Sequence, residues 1–464
     1  AAEALDAIVR VASTSELFGA IEAHLDAWLQ LMGTPLDSAL DSSIRLAGMA
    51  APPFAPYAAA APADAVGEMG SFEASVATHG MHERGAAALG LLAHACTCTG
   101  DDSAASAWRR ALLTALGSQR ATTRQVSAWV VAEWSERATA TEGAMVAGAD
   151  VYAALAAQAS DAPMAAGTCA EMRSLVEEMQ RDATNLFRLF ETAKAPAAAL
   201  LACSWQSADW PGGAGAGVGE QAALKLTSSI YAEWLTLLPT SATANARSRC
   251  AEARTRLVTS RALVRSRLES LTLALGESAC EAIVRMRSLP PKLNPLLSLA
   301  SKGSLMNAVQ GAAPHVQARA ARVLACLMHQ LVDAAKQAVV DKLCKNLCTL
   351  LSPPPPPVAE ATDAATAAQA AKAQAEAAQT AAAGARVGLT ACCTAFGEGL
   401  FVKLPALWTA LEAPLTSTPL EPLALRSSLQ LASAIAHALT AAPAAKLCEL
   451  LPHILAAALS PELP

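Results

Sequence analysis

Aromatic residues make up only 4% of the 464-residue chain and charged residues only 16%, although 53% of its positions are apolar. No window holds about 18 uninterrupted strongly apolar residues, the length that a membrane-spanning helix needs. Alanine supplies much of the apolar count, and Pro52, Pro53, Pro56 and Pro62 interrupt the best early stretch. The composition therefore does not predict a membrane protein.

An excess of charge of either sign is also missing. The chain has 40 acidic and 34 basic side chains, with a formal charge of −6, which argues against a surface generally coated with nucleic acid. The twelve cysteines lack the dense spacing of a disulfide scaffold, so a reducing compartment is expected. The chain begins at Ala1 without a methionine or a secretory signal, which favours a segment of a longer protein.

Alternating β-branched runs are nearly absent, whereas alanine, leucine, arginine and glutamate dominate, so the sequence predicts an all-α fold. A leucine-rich stripe shares one face of a predicted helix: Leu257, Val264, Leu268, Leu271 and Leu275. Pro405 is predicted to open a helix that Pro414 follows, and Pro452 repeats the design 47 positions after Pro405. This spacing fits the roughly 40 to 47 residues of a HEAT or armadillo unit and predicts an α-solenoid.

The chain divides by composition into five segments. Helical repeats are expected over residues 1–208, 221–351 and 387–464, with a glycine-rich loop over 209–220. Residues 352–386 combine five consecutive prolines with an alanine-rich low-complexity tract and are predicted to be a disordered linker. The alanine-rich part has the composition of an isolated helix, but it lacks a leucine stripe with which to dock.

No pattern predicts a catalytic, cofactor or metal site. The glycine-rich loop lacks the Lys-Ser/Thr pair of a P-loop. Cys96 and Cys98 lie near His94, but no second cysteine pair follows at a zinc-finger distance, so buried structural cysteines are the favoured interpretation. Cys344 and Cys348, one helical turn apart beside leucines, are interpreted in the same way.

The most asymmetric charge feature is the segment 247–267, where seven arginines are opposed only by Glu252. On a helical wheel the arginines flank the leucine stripe on both sides. One interpretation is a set of arginines that border a buried seam. The other is a basic ridge for an acidic partner or a DNA backbone, with Arg254, Arg261 and Arg265 as candidates. The negative overall charge favours the first.

The segments 288–297 (SLPPKLNPLL) and 402–408 (VKLPALW) resemble the central region of the TATA-binding-protein-associated Snf2-type ATPases, the modifier-of-transcription group. Weaker matches follow the same order at 27–32 (AWLQLM), 126–134 (VSAWVVAEW) and 345–348 (KNLC). The residues that carry the resemblance have expected scaffold roles: Trp28, Trp134, Pro290, Lys292, Leu293, Asn294, Pro295, Lys403, Pro405 and Trp408.

The resemblance implies a HEAT-repeat array that binds the TATA-binding protein in the nucleus. In this family a C-terminal Snf2 motor uses ATP and Mg²⁺ to remove that protein from DNA. The chain lacks the motor motifs, so a non-catalytic scaffold is expected that meets DNA only through the complex, without a membrane or small-molecule substrate. The alternatives are another α-solenoid adaptor, such as a nuclear transport receptor or a vesicle-tethering subunit, and an ATPase retained within the chain.

Overall fold

The computed structural model of the protein describes residues 83, 86–87, 89–91, 93–94, 102–137, 143–192, 243–287, 289, 292–299, 301–311, 314–351, 364–417 and 421–458. Within these ranges every regular element is a helix and there is no β-strand, which confirms the all-α prediction. Trp28, the glycine-rich loop and the Cys96–Cys98 pair lie outside the described residues.

The described helices are numbered in chain order. In the first half of the chain they are α1 (Asp102–Leu116), α2 (Ala121–Arg137), α3 (Gly143–Ser160), α4 (Ala162–Gly167), α5 (Ala170–Thr192) and α6 (Ala244–Arg285). In the second half they are α7 (Asn294–Leu297), α8 (Leu305–Gln310), α9 (Pro314–Asp333), α10 (Gln337–Leu351), α11 (Ala364–Phe396), α12 (Leu400–Lys403), α13 (Pro405–Thr416), α14 (Pro422–Ile435), α15 (Ala441–Cys448) and α16 (Leu451–Ala458).

The 42-residue helix α6 is the element around which the first half packs. The side chain of Thr243 caps its N-terminus by accepting a hydrogen bond of 3.2 Å from the backbone N–H of Ala246. At the other end Arg287, with a φ of 53°, turns the chain away from the helix. The leucine stripe predicted from the sequence is buried along α6. Helices α2, α3, α4, α5, α8 and α9 all pack against α6.

Packing in the second half passes stepwise along the chain. Helix α9 packs on α11, α10 packs on α11 and α13, and α13 packs on α14. Pro405 is the first residue of α13, as predicted. Pro414 lies inside the last turn of α13 instead of after it, which corrects the sequence prediction. A proline this close to a helix end removes only one of the last backbone hydrogen bonds, so the helix continues for two more residues.

The predicted disordered linker is wrong for its alanine-rich part. Residues 364–396 form one helix, α11, so the expected boundary between residues 386 and 387 falls within a helix. Alanine has the highest helix propensity. The later residues of α11 pack against the core, and the alanine tract before them continues the same helix. Residues 352–363, including the five prolines, lie outside the described residues.

The middle of α11 packs against α8 through a glycine rather than through leucine side chains. A Cβ atom at Gly384 would overlap the carbonyl oxygen of Val309 at the end of α8. Gln317 reinforces this contact, because its side-chain Nε2 donates to the carbonyl oxygen of Thr380 at 3.1 Å and to that of Gly311. The sequence lacks a leucine stripe here because the two backbones approach each other directly.

A helix that crosses a membrane must be both long and apolar. No single helix among them is both long and apolar enough to cross a membrane. One bent pair, residues 374–403 with 405–416, is long and apolar enough only when its two parts are taken together. The axes of the two parts meet at 69°.

Replacing Gly384 by alanine is expected to destabilise the protein. The added methyl group meets backbone, which cannot rotate away, so we expect a loss of about 1 to 3 kcal/mol in the free energy of unfolding. The measurement is the urea unfolding midpoint followed by circular dichroism. Gly388→Ala is the matched control in the same helix, because its Cβ would lie 3.2 Å from Cδ2 of Leu347, the flexible end of a side chain. Equal midpoints for the two variants would contradict the close approach of α11 and α8.

Candidate functional site

The basic segment predicted from the sequence occupies the first half of α6. Arg249, Arg256, Arg265 and Arg267 are exposed, and none of the four forms an ion pair with any residue that the structure describes. Among the residues named as a candidate ridge, Arg265 is exposed and Arg254 is half-buried, whereas the side chain of Arg261 lies outside the description. These four arginines are therefore exposed positive charges on one long helix that no described acid neutralises.

A buried seam with α5 holds this half of α6 in place. Leu257 and Val264 are buried in one apolar cluster with Met172 and Met179 of α5. At the edge of the seam the Ser260 hydroxyl donates a hydrogen bond to the Asp182 carboxylate. The stripe and the arginines on either side of it agree with the predicted helical wheel.

Arg254 differs from its exposed neighbours. The residue is half-buried, and its Nε is buried without a hydrogen-bond partner among the described residues. This arrangement resembles the bordering role of the first interpretation. The exposed arginines at 249, 256, 265 and 267 have no packing role of this kind, so the basic ridge remains a prediction for them.

The second half of α6 carries charges of the opposite sign into the core. Glu277 and Glu281 are buried one helical turn apart, and Arg319 of α9 meets both of them. The Arg319 Nε lies 2.5 Å from a Glu281 oxygen and 3.5 Å from a Glu277 oxygen. Its guanidinium also stacks 4.2 Å above the ring of Trp129 in α2, a cation–π contact. One arginine therefore ties α9 to both α6 and α2.

Further ion pairs extend this cluster towards the surface. Arg285 of α6 lies 2.8 Å from Glu281 and 3.1 Å from Glu133 of α2, and it also contacts Glu136. We refer to the whole set as the buried charge network: Glu83, Glu133, Glu136, Glu277, Glu281, Arg285 and Arg319.

Glu277 is the least satisfied member of the buried charge network. It is fully buried, and both of its carboxylate oxygens lack a hydrogen-bond donor among the described residues. The 3.5 Å approach of Arg319 is an electrostatic contact that does not meet hydrogen-bond geometry. Burial raises the pKa of Glu277 well above its usual value of 4.5, and Arg319 opposes this rise only in part. Burial therefore favours the protonated form of Glu277 more than it would favour that form of an exposed glutamate.

Arg319 responds in the opposite sense. Burial alone would lower the pKa of its guanidinium, but the carboxylates of Glu281 and Glu277 raise it above the usual arginine value. Burial likewise raises the pKa of Glu133, against the opposing effect of Arg285. The network thus favours the charged form of Arg319, whereas burial favours the protonated form of Glu277. Both effects are consistent with a structural role for these residues.

The residues of the SLPPKLNPLL segment lie at the junction after α6. Leu293 packs against the core and Lys292 is exposed. Asn294 and Pro295 begin the short helix α7, and Leu296 in the same helix is buried. Pro290 lies outside the described residues. The described part of the segment thus lies at a helix junction, and its scaffold role stays a prediction.

The second specific segment forms a similar junction between α12 and α13. The carbonyl oxygen of Lys403, the last residue of α12, accepts a 3.2 Å hydrogen bond from Nε2 of Gln337 in α10. Trp408 packs edge-on against Phe401, with ring centroids 5.1 Å apart, and the Lys446 ammonium lies 4.6 Å above the Trp408 ring. Trp134, from an earlier matching segment, is completely buried in α2.

Cysteines cluster in the second half of the core. Cys344, Cys348, Cys392 and Cys393 are carried by α10 and α11, and the Cys392 thiol lies 3.8 Å from the sulfur of Met328. Burial raises the pKa of the Cys344 thiol to about 12 and that of Cys348 to about 11. Thiols with such pKa values are poor nucleophiles. No group of three or more His, Cys, Asp or Glu side chains in the described part of the chain is arranged to hold a metal ion.

The sequence reasoning missed the buried charge network, although a signal was present. Glu277, Glu281 and Arg285 recur every fourth residue in the stretch LGESACEAIVR, whose other residues are small or apolar. Small residues on every side of a helix indicate burial all round. Acids within such a stretch must then meet a cation from another helix, and the sequence alone does not say that Arg319 supplies it.

The fold and these junctions define an all-α protein of closely stacked helices. The chain belongs to a protein family described as "Domain of unknown function (DUF3535)", whose model matches residues 4–354. The match covers α1 to α10, and so includes both the basic segment and the buried charge network. No curated protein matches the chain significantly.

Replacing Glu277 by glutamine is expected to stabilise the protein at neutral and alkaline pH. A carboxyl group with a raised pKa stabilises the folded state below its usual pKa and loses this contribution as the pH rises towards the folded-state value. The amide avoids that loss, so we expect a gain of roughly 1 to 3 kcal/mol at pH 8 that shrinks towards pH 4.5. The measurement is urea unfolding at both pH values.

Glu281→Gln is the matched control, one helical turn away. Its carboxylate has close contacts with both Arg319 and Arg285, so its loss is expected to lower stability at pH 8. A Glu277→Gln variant that is destabilised at pH 8 as much as Glu281→Gln would show that Glu277 is an ionised, well-paired member of the network.

Proposed function

We propose that the chain is a non-catalytic, protein-binding scaffold of a nuclear transcription regulator, and that it captures the TATA-binding protein. The helices form HEAT-like repeats in this proposal, and an Snf2 motor supplied elsewhere performs the ATP chemistry. The resemblance of SLPPKLNPLL and VKLPALW to the TATA-binding-protein-associated ATPases carries the proposal. It gains support from the position of both segments at helix junctions, where Leu296 and Leu404 are buried.

The packing suits a scaffold that transmits movement. Successive helices contact their neighbours along the chain, so displacement at one end can pass to the other through many small changes. The 42-residue α6, about 63 Å long at 1.5 Å per residue, is fixed to α2 and α9 by the buried charge network. A stiff central helix keeps the distance and orientation between distant surfaces constant. A partner that binds across several repeats requires such a fixed arrangement.

Binding of purified TATA-binding protein to the immobilised chain tests this proposal. We expect saturable binding by interferometry that does not change when ATP and Mg²⁺ are added, because the ATP-hydrolysing part is supplied elsewhere. Two small GTPases in their GDP and GTP forms serve as controls for an adaptor of nuclear transport or vesicle tethering. ATP hydrolysis by the chain is measured in parallel.

Three results would contradict the proposal. Failure of the folded chain to bind the TATA-binding protein removes its central claim. Preferential binding of a GTP-loaded GTPase would instead favour the adaptor of the alternative interpretation. ATP hydrolysis by the purified chain would indicate an enzyme.

A further inference from the structure

We propose that the first half of α6 binds the phosphate backbones of duplex DNA directly and without sequence preference. The proposed function needs DNA only through the captured partner, so this inference goes beyond it and does not depend on it. The surface in question, the basic face, is the part of residues 244–270 that lies away from the α5 seam.

The basic face consists of two arginine rows on either side of a strip of mainly small side chains, whose two margins carry Glu252 and Glu269. At 100° per residue, Arg249, Arg256 and Arg267 fall on one side of α6, and Arg247, Arg254, Arg261 and Arg265 fall on the other. Between the rows lie small exposed side chains: Ser248, Thr255, Thr259, Ala262 and Ser266. Each row stands roughly 100° from the centre of this strip, and arginines seven residues apart are spaced about 10 Å along the helix.

The charge on this face is positive and largely uncompensated. Seven arginines face only Glu252 and Glu269 between residues 244 and 270. The four exposed arginines at positions 249, 256, 265 and 267 form no ion pair within the described ranges, so their guanidinium groups have donors available for a ligand. Guanidinium groups bind phosphate through paired N–H donors, as in many protein–DNA contacts.

The arrangement favours a duplex over an acidic peptide. An extended acidic chain meets one arginine row, because the second row points away on the far side of the helix. The major groove of DNA is about 12 Å wide and admits an α-helix, and phosphates line both of its edges. A helix that enters with its small-residue strip would direct one arginine row towards each edge.

The same strip indicates binding without base recognition. Bases are read mainly by arginine, lysine, asparagine and glutamine side chains that reach the groove floor. The strip presents hydroxyl and methyl groups instead, and the hydroxyls of Thr255 and Thr259 donate to backbone carbonyl oxygens of the preceding turn at 3.0 and 2.9 Å. Contacts to phosphate alone give affinity that depends strongly on salt and little on sequence.

The test uses the full chain and a fluorescent mixed-sequence duplex of about 30 base pairs, roughly three helical turns. Binding is followed by anisotropy over a range of salt concentrations. The variant combines Arg249→Gln, Arg256→Gln, Arg265→Gln and Arg267→Gln. Its Kd is expected to rise at least about tenfold at low salt, and the slope of log K against log salt is expected to flatten by about 3 to 4.

The matched control removes four exposed positive charges elsewhere by combining Lys342→Gln, Lys345→Gln, Arg386→Gln and Arg426→Gln. It has the same net charge as the arginine variant and is expected to bind DNA nearly as well as the unmodified chain. Glu252→Gln, which removes an acid from the basic face, is expected to tighten binding severalfold. Circular dichroism and thermal unfolding midpoints verify that the variants are folded, and the replaced arginines have no packing or ion-pair role that would alter either.

The proposal is overturned by any of four results. The unmodified chain does not bind the duplex, or the arginine variant binds it as tightly as the unmodified chain does. The control variant loses as much affinity as the arginine variant, which would indicate a general charge effect. Poly-glutamate or single-stranded DNA at equal charge competes as well as the duplex, which would favour an acidic protein or a single strand as the ligand.

Discussion

The packing of the first half of the protein depends on one buried guanidinium group. Arg319 is the cation that allows α6 to carry Glu277 and Glu281 into a core of alanine and leucine. An ionised carboxylate without a partner in such a core costs several kcal/mol, and Arg319 of α9 provides that partner for Glu281 at 2.5 Å. The ring of Trp129 covers the same guanidinium and extends this constraint to α2. A single side chain therefore fixes the relative positions of three helices.

This constraint divides α6 into two electrostatically opposite halves. Near its C-terminal end, carboxylates are neutralised inside the protein by arginine or by retention of a proton. Near its N-terminal end, Arg249, Arg256, Arg265 and Arg267 are exposed and form no ion pair with any described residue. The formal charge of −6 averages the two and conceals the basic half. Overall composition can thus argue against a nucleic-acid-coated surface while one helix keeps a local basic face.

Much of this architecture could be predicted from sequence because it follows from short-range periodicity. The helical class, the stripe from Leu257 to Leu275 and the helix that begins at Pro405 are all properties of neighbouring residues. The disordered linker was predicted incorrectly for a related reason. A search for leucines cannot detect docking through Gly384, where the contact is made by backbone and requires the absence of a side chain.

The buried charge network lies beyond such reasoning because its members are far apart in sequence. Arg319 lies 38 residues from Glu281, and nothing in either segment alone identifies the other as its partner. The arginines from Arg249 to Arg267 also depend on contacts that the sequence does not give. The helical wheel gives their positions around α6, but only the packing shows which of them form no ion pair with a described acid.

Close packing through small residues is consistent with the low aromatic content of the chain. Alanine and glycine allow close approach of the main chain, as at Gly276 in α6, where an added Cβ would overlap the main chain of Gly303. Such interfaces need few large side chains, and the largest fully buried ones, Trp108, Trp129 and Trp134, all lie in α1 and α2. One of them, Trp129, covers the guanidinium of Arg319. Among the described residues, the largest fully buried aromatic side chains thus lie in the two helices α1 and α2, and one of them contacts the arginine that joins α9 to α6.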